Sequence, residues 1–93
     1  MKLQNTLVYY YGQECDNCNV TDDLLAKNDV AEKFTLIKKE VWHDLDNRND
    51  WNQKAAACDF EDKPIGVPFL YANKKCYMGV ENVVDFLKRE YAL

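Results

Sequence analysis

Two cysteines separated by two residues lie where a strand pattern passes into a helix pattern, and this feature constrains the fold most. Cys15 and Cys18 follow an apolar, aromatic run over residues 6–11, which predicts a β-strand covered on both faces. They open a polar segment, from residue 15 to about 27, whose apolar residues have helical spacing. A single C-x-x-C in this context is typical of a redox-active dithiol.

The spacing of the two cysteines suits a reversible disulfide. Residues three apart on a helix have Cβ atoms roughly 5–6 Å apart, whereas a disulfide requires roughly 3.5–4.5 Å. A closed loop of about four residues adds little chain-entropy stabilisation. The N–H groups and dipole of the helix N-terminus favour a thiolate, which is the nucleophile. We therefore predict that Cys15 attacks and that Cys18 resolves the mixed disulfide.

A structural zinc site is one alternative for this pair, and two inert cysteines are the other. Zinc requires four ligands, usually with a second close pair. The remaining candidates, Cys58, Cys76 and His43, are scattered along the chain. We expect Cys58 to be a small buried hydrophobe on one helix face with Trp51 and Ala55, because these residues lie at i+7, i and i+4. We expect Cys76 to be structural and His43 to be a solvated loop residue rather than a base.

Length and charge restrict the function classes. A chain of 93 residues with 47% apolar residues predicts one domain, residues 1–93, with its own core. A net charge of −4 disfavours nucleic-acid binding. No apolar run approaches the ~18 residues of a membrane span. The N-terminal run, interrupted by Gln4 and Asn5, does not predict a signal peptide. We therefore expect a cytoplasmic protein, in a compartment where thiols are kept reduced.

The patterns follow one another in the order β-α-β-α-β-β-α. After the first strand and helix, the predicted elements are a strand over 34–42, a helix over about 48–59, a strand opening near Pro68, a returning strand over 76–78 and a helix from 80 to about 91. The charged residues at 38–40 place the second strand at a sheet edge or near solvent. Alternating strands and helices predict a parallel pair, and the hairpin adds antiparallel strands. The expected fold is α/β with a four-stranded mixed sheet.

Pro68 is unusual within a strand-like run. Proline does not donate to a sheet ladder, so it belongs at a strand start or on an edge. One interpretation is a trans proline that begins the third strand. The other is a cis proline that turns the backbone beside the two cysteines.

The element order and two motifs resemble the glutaredoxin branch of the thioredoxin superfamily, over essentially the whole chain. Cys15-Asp16-Asn17-Cys18 stands at the position of the family's dithiol, and Gly66-Val67-Pro68 is similar to the family's Thr-Val-Pro, whose proline is cis. Met78-Gly79 stands where many members have Gly-Gly, and Glu81 and Asn82 fall where members hold the amino end of glutathione. The resemblance implies a thioredoxin fold of glutaredoxin type, with a cis proline.

The same resemblance implies a thiol-disulfide oxidoreductase that reduces protein or small-molecule disulfides, with electron transfer and cell redox homeostasis as its role. It implies no bound cofactor and no metal, glutathione as a co-substrate, a thiol-regenerating reductase as the other source of electrons, and a monomer. Backbone near Val67 and Pro68 would pair with the substrate. The predicted groove residues are Tyr11, Gln13, Phe69, Gly79 and Glu81.

The residues beside the dithiol depart from the family pattern. The central pair is Asp16-Asn17 rather than Pro-Tyr, and Gln13-Glu14 replaces the usual basic residue that binds a glutathione carboxylate. An exposed carboxylate roughly 6 Å from a thiolate costs about 0.7 kcal/mol in water. Glu14 and Asp16 together nearly cancel the ~0.3–1 kcal/mol from the helix N-terminus. We therefore predict a Cys15 thiolate that is only modestly stabilised, and a reductant rather than a strong oxidase.

Two other functions are compatible with these patterns. Some glutaredoxin-like proteins hold an iron–sulfur cluster between subunits, so a metal or cluster-binding module is one alternative. A non-catalytic interaction domain that kept the fold is the other.

Overall fold

Seven elements follow one another in the predicted order within residues 6–27, 35–60 and 64–91, which the computed structural model describes. They are β1 (Thr6–Tyr11), α1 (Asp16–Lys27), β2 (Thr35–Glu40), α2 (Leu45–Ala57), β3 (Phe69–Ala72), β4 (Lys75–Met78) and α3 (Val80–Tyr91). The strands form one sheet in the order β2-β1-β3-β4. β1 runs parallel to β2, and the pairings β1–β3 and β3–β4 are antiparallel. The predicted fold class is confirmed.

The sheet separates two hydrophobic clusters. The first cluster comprises Leu7, Tyr9, Leu25, Leu70, Ala72, Val83, Phe86 and Leu87, and it joins the sheet to α1 and α3. The second cluster comprises Tyr10, Val41, Trp51, Ala55 and Phe69, and it joins the sheet to α2. Tyr9 and Tyr10 are both fully buried, on opposite faces of β1. The nearly continuous apolar run of β1 therefore reflects a central strand with helices on both sides, as expected.

The charged strand β2 lies at a sheet edge, as its lysines predict. Its first predicted residue, Phe34, falls outside the described residues. The predicted bounds of α2 are wrong, because the helix begins at Leu45 and ends at Ala57. Asp44 caps it by accepting the Asn47 N–H at 2.9 Å. Several polar residues between 43 and 49 could each cap a helix, so the sequence did not single out Asp44.

The inner face of α3 is formed by its apolar residues. Val83 and Leu87 are buried, while Val84 is only half-buried. Phe86 is also buried and stacks on Tyr77 with 4.1 Å between ring centroids. This stacking fixes α3 over β4, and it was not predicted.

Cys58 corrects the sequence interpretation most clearly. It is not a buried residue on a helix face, because α2 ends one residue earlier and Cys58 is its half-buried C-cap. Its N–H donates to the Ala55 carbonyl at 3.1 Å. Cys58 is disulfide-bonded to Cys76 on β4, with 6.0 Å between the Cα atoms. This second disulfide connects the end of α2 to the outer strand of the hairpin, which gives Cys76 the structural role expected of it.

We expect the double variant Cys58→Ala/Cys76→Ala to lose about 3 kcal/mol of unfolding free energy, because the cross-link closes a loop with a sequence separation of 18. Urea denaturation of oxidised protein would measure the loss. The same comparison with both proteins fully reduced is the control, since the parent then lacks the cross-link too. An equal loss under reducing conditions would show that packing, not the disulfide, stabilises this contact.

Asp50 on α2 organises a small polar network beside the second cluster. Its carboxylate accepts hydrogen bonds from the Tyr10 hydroxyl at 2.6 Å, from Lys39 at 2.9 Å and from Lys54 at 3.0 Å. Partial burial alone would raise the pKa of Asp50, but these three donors lower it to about 2. The network thus ties α2 to β1 and β2 through one charged carboxylate.

The lowered pKa of Asp50 predicts an acid-labile contribution to stability. A carboxyl whose pKa is lower in the folded state stabilises the protein above its unfolded pKa, and this contribution is lost as pH falls from about 4 to about 2. We expect a loss of about 2 kcal/mol across that window. Urea unfolding at several pH values would show it as the difference between the parent and Asp50→Asn. If both lose stability equally on acidification, Asp50 is not the group responsible.

Candidate dithiol site

Cys15 and Cys18 lie where β1 passes into α1. They are disulfide-bonded, with 5.3 Å between their Cα atoms. The turn out of β1 is closed by the Cys15 N–H, which donates to the Gly12 carbonyl at 3.1 Å. The Tyr9 hydroxyl donates to the Cys18 carbonyl at 3.2 Å, which anchors the first turn of α1 to the sheet. The dithiol is therefore held by both the central strand and the helix.

The two sulfurs have unequal environments. Cys15 is 8% exposed and Cys18 is 1% exposed, so Cys15 is the more accessible of the two. The Cys18 N–H donates to Cys15 Sγ at 3.1 Å, and the Val67 carbonyl oxygen lies 3.9 Å from the same sulfur. An N–H group aimed at sulfur favours the thiolate of Cys15 once the disulfide is reduced. The arrangement suits Cys15 as the attacking sulfur and Cys18 as the resolving one.

The loop before β3 lies against the dithiol. The Val67–Pro68 peptide bond is cis, the second of the two interpretations of Pro68. The Pro68 ring is fully buried. The Gly79 N–H donates to the Pro68 carbonyl at 2.9 Å. Gly79 has φ +91°, a conformation that favours glycine, and it passes directly into α3.

A third segment, the loop after β2, supports the loop before the dithiol. One oxygen of the Glu40 carboxylate accepts the N–H groups of Gln13 and Trp42, each at 3.0 Å, and the other accepts the His43 N–H at 2.9 Å. Desolvation opposes ionisation, but these three N–H groups lower the pKa of Glu40 below its ordinary value. Glu40 thus holds the two loops together.

Trp42 covers the backbone beside the dithiol. A Cβ atom on Gly12 would overlap the indole, so only glycine fits there while Trp42 keeps its position. The Trp42 side chain is nevertheless 41% exposed. One face of the indole therefore packs on the dithiol loop, while the rest of the ring is accessible to a substrate.

His43 is an exposed loop residue, as predicted, but it has a specific partner. Its Nε2 lies 2.8 and 2.9 Å from the two carboxylate oxygens of Glu14. The hydrogen bond and the charge of Glu14 raise the pKa of His43 above its ordinary value. Protonated His43 offsets part of the negative charge of Glu14, the residue immediately before Cys15.

The pair predicts a measurable titration. Because the folded-state pKa of His43 is raised, the interaction with Glu14 is fully present at pH below the ordinary histidine pKa and is lost as pH rises through the folded pKa. We expect NMR titration to give a pKa above that of an unperturbed histidine, and Glu14→Gln to lower it. Asp59→Asn, at the far end of α2, should leave it unchanged. A pKa unaffected by Glu14→Gln would contradict the pairing.

The contacts bring together five of the predicted site residues: Cys15, Cys18, Val67, Pro68 and Gly79. Gln13 is exposed in the loop before the dithiol. Tyr11 is half-buried, and its ring stacks on Tyr9 with 5.9 Å between centroids. Glu81 is exposed in the first turn of α3. For Gln13, Tyr11 and Glu81, contact with a substrate stays a prediction.

Phe69 does not line a groove, and this prediction is wrong. Its side chain has no exposed surface and lies in the second cluster. Its ring makes edge contacts with the rings of Tyr10, Trp51 and Phe60 at about 6 Å between centroids. As the first residue of β3, it directs its side chain toward α2.

The sequence reasoning missed Glu40, Trp42 and His43 as neighbours of the dithiol. A signal for them existed. The carboxyl ends of parallel strands meet at one edge of a sheet, so residues that follow β2 must lie beside residues that follow β1. In the described part of the chain, no group of three or more His, Cys, Asp or Glu side chains could hold a metal ion. Nor does any described helix have the length and apolar character needed to cross a membrane.

Comparison with solved structures identifies the fold. The chain superposes on glutaredoxin C1 from Populus tremula × tremuloides, solved in its holo form, with a TM-score of 0.59. The match covers 92% of this chain and 77% of that one, at 20% sequence identity. The protein has a glutaredoxin-like thioredoxin fold. The resemblance stated from the sequence is thus confirmed at the level of the fold.

Sequence comparison adds little to this assignment. No protein-family model matches the chain. A protein from Rickettsia bellii (strain RML369-C), described as an uncharacterized zinc protease, is 30% identical over 77 residues, which cover 72% of this chain. The match spans only 19% of the length of that protein.

Proposed function

We propose that this glutaredoxin-like protein is a thiol-disulfide oxidoreductase that acts through Cys15 and Cys18. One observation carries the proposal. The two sulfurs are close enough to bond at the N-terminus of α1, and the more exposed one receives an N–H and faces the carbonyl of the residue before Pro68. This arrangement favours a thiolate at a position that a substrate disulfide reaches.

The reaction consists of two thiol-disulfide exchanges. The Cys15 thiolate attacks one sulfur of a substrate disulfide, so that a Cys15–substrate bond forms and the other substrate thiolate leaves and takes a proton from water. Cys18, as its thiolate, then attacks Cys15 Sγ. The Cys15–Cys18 bond forms, and the second substrate thiolate leaves. The substrate gains two electrons, and the protein is oxidised by two.

Glutathione or a thiol-regenerating reductase supplies the electrons that restore the dithiol. We further propose that the substrate chain pairs with the backbone at Val67, where the carbonyl already lies beside Cys15 Sγ. We also expect the protein to be cytoplasmic and monomeric and to consist of one domain. These three points remain predictions.

Equilibration in glutathione buffers, from reducing to oxidising, tests the proposal. Free thiols are then alkylated and the protein mass is read. We would use the Cys58→Ala/Cys76→Ala variant beside the parent, because it leaves one cysteine pair to report. A reversible loss of two hydrogens at Cys15 and Cys18 is the expected result. Thiols that stay unchanged throughout would overturn the proposal and favour a metal-binding or interaction module.

A further inference from the structure

We propose that the dithiol reacts preferentially with cationic disulfides, of the kind found in basic polypeptides, and that the exposed indole of Trp42 contacts the substrate. This inference rests on the proposed function and specifies its substrate class. It depends on two separate observations, which are the charges around Cys15 and the accessible aromatic surface beside it.

Carboxylates surround the entrance to the dithiol. Glu14 and Asp16 flank Cys15 in sequence, and both are exposed. Glu40 is the last residue of β2, and its carboxylate accepts the Gln13 N–H. Glu81 is exposed in the first turn of α3, two residues after the Gly79 whose N–H binds the Pro68 carbonyl. A substrate that approaches Cys15 therefore meets negative charge from the start of α1, from the end of β2 and from the first turn of α3.

The neighbouring cations do not balance these carboxylates. Arg48 donates to the backbone carbonyls of Val41 and Trp42, which are neutral, so it offsets one carboxylate charge at most. Lys39 is paired with Asp50. Lys38 places its ammonium 5.1 Å from the centroid of the Tyr11 ring. His43 is paired with Glu14 and offsets that carboxylate only while protonated. Four carboxylates, those of Glu14, Asp16, Glu40 and Glu81, outnumber the charges of Arg48, Lys38 and a protonated His43. The net charge of these residues is therefore negative, and it favours cationic partners.

Trp42 adds a specific contact surface. Its indole lies over Gly12, whose carbonyl accepts the Cys15 N–H, so the ring covers the loop that carries the reacting cysteine. The 41% of its side chain that is exposed can accept a lysine or arginine over the ring face. An anionic disulfide gains nothing from this ring face and is repelled by Glu14 and Asp16. A cationic polypeptide gains from both features.

A matched pair of small disulfides tests the charge preference. Cystamine carries two ammonium groups, and 3,3′-dithiodipropionate carries two carboxylates on chains of similar length. The rate ratio for the two is divided by the same ratio measured with dithiothreitol, which removes their intrinsic difference in reactivity. We expect the normalised ratio to favour cystamine by about tenfold or more at low ionic strength. It should fall toward one in molar salt, where the Debye length is about 3 Å.

Charge-neutralising variants locate the effect. One charge near 6 Å changes each rate by about threefold in opposite directions, so Asp16→Asn should lower the ratio about tenfold. Any change in the Cys15 thiolate affects both substrates alike and cancels in the ratio. Asp59→Asn removes the same charge beyond the C-terminal end of α2, and it should leave the ratio unchanged. Trp42→Ala should lower the cystamine rate about threefold with little effect on the dianion.

Each outcome is decisive. A normalised ratio near one at low salt, or an equal effect of Asp16→Asn and Asp59→Asn, would overturn the cationic preference while the oxidoreductase proposal stands. A ratio below one would show a preference for anionic disulfides, such as glutathione disulfide, and would also overturn it. If neither disulfide is reduced faster than without protein, the proposed function itself fails.

Discussion

Replacing Cys15 with serine is expected to abolish disulfide reduction, whereas replacing Cys18 should stop the reaction after its first step. Without the Cys15 sulfur there is no exposed thiolate to attack, because Cys18 is 1% exposed. In Cys18→Ser, Cys15 still forms a disulfide with the substrate. The serine that replaces Cys18 has no thiolate to attack Cys15 Sγ and release the bound substrate. The two variants therefore fail differently.

Quenched reactions analysed by mass would separate the two failures. Cys18→Ser should accumulate a stoichiometric mixed disulfide with substrate, and added thiol should release it. Cys15→Ser should form none. Cys58→Ala/Cys76→Ala serves as the matched control, since it removes two sulfurs from the other disulfide and should turn over at the parental rate. If Cys15→Ser reduces disulfides at the parental rate, Cys15 is not the nucleophile.

The reducing strength of the protein depends on contacts that the residues alone did not reveal. The sequence weighs Glu14 and Asp16 against the helix N-terminus and predicts near cancellation. The structure identifies the Cys18 N–H as the helix N-terminal group that reaches Cys15 Sγ. It adds the pairing of His43 with Glu14, which also favours the Cys15 thiolate. A stabilised thiolate makes a dithiol more oxidising. The potential measured in glutathione buffers should therefore shift to lower, more reducing values in the His43→Gln variant.

The elements that the sequence predicted well are those with strong local signals. β1 has a nearly continuous apolar run because helices cover both of its faces. Its predicted bounds agree with those in the structure. The edge position of β2 follows from its lysines, which only a strand beside solvent accommodates. Cys15 and Cys18 are only three residues apart in sequence, so their geometry is local. Pattern and short-range sterics suffice for such features.

The features that were missed depend on tertiary contacts. The helix face through Trp51 and Ala55 continues to Cys58 by spacing alone, yet α2 ends first and Cys58 reaches Cys76 across 18 residues of chain. Glu40 and Trp42 become part of the site because β2 is placed beside β1. Periodicity along one element does not report which residues of another element face it.

Phe69→Ala is expected to lose about 3–5 kcal/mol of unfolding free energy, the cost of deleting a fully buried aromatic ring. Domains of this size are stable by only about 5–15 kcal/mol, so the variant should be near the limit of folding. Phe69→Leu retains most of the volume and should cost less, about 1.5 kcal/mol. Urea denaturation of the three proteins would give both values.

The same variants distinguish a core residue from a groove residue. If Phe69 contacted substrate, Phe69→Leu would raise KM while the unfolding free energy stayed near that of the parent. The structure predicts the reverse, because Phe69 touches Tyr10, Trp51 and Phe60 and has no exposed surface. Phe69→Leu should therefore lose stability and keep its KM when measured well below its unfolding temperature. A raised KM at parental stability would place Phe69 at the surface of the groove after all.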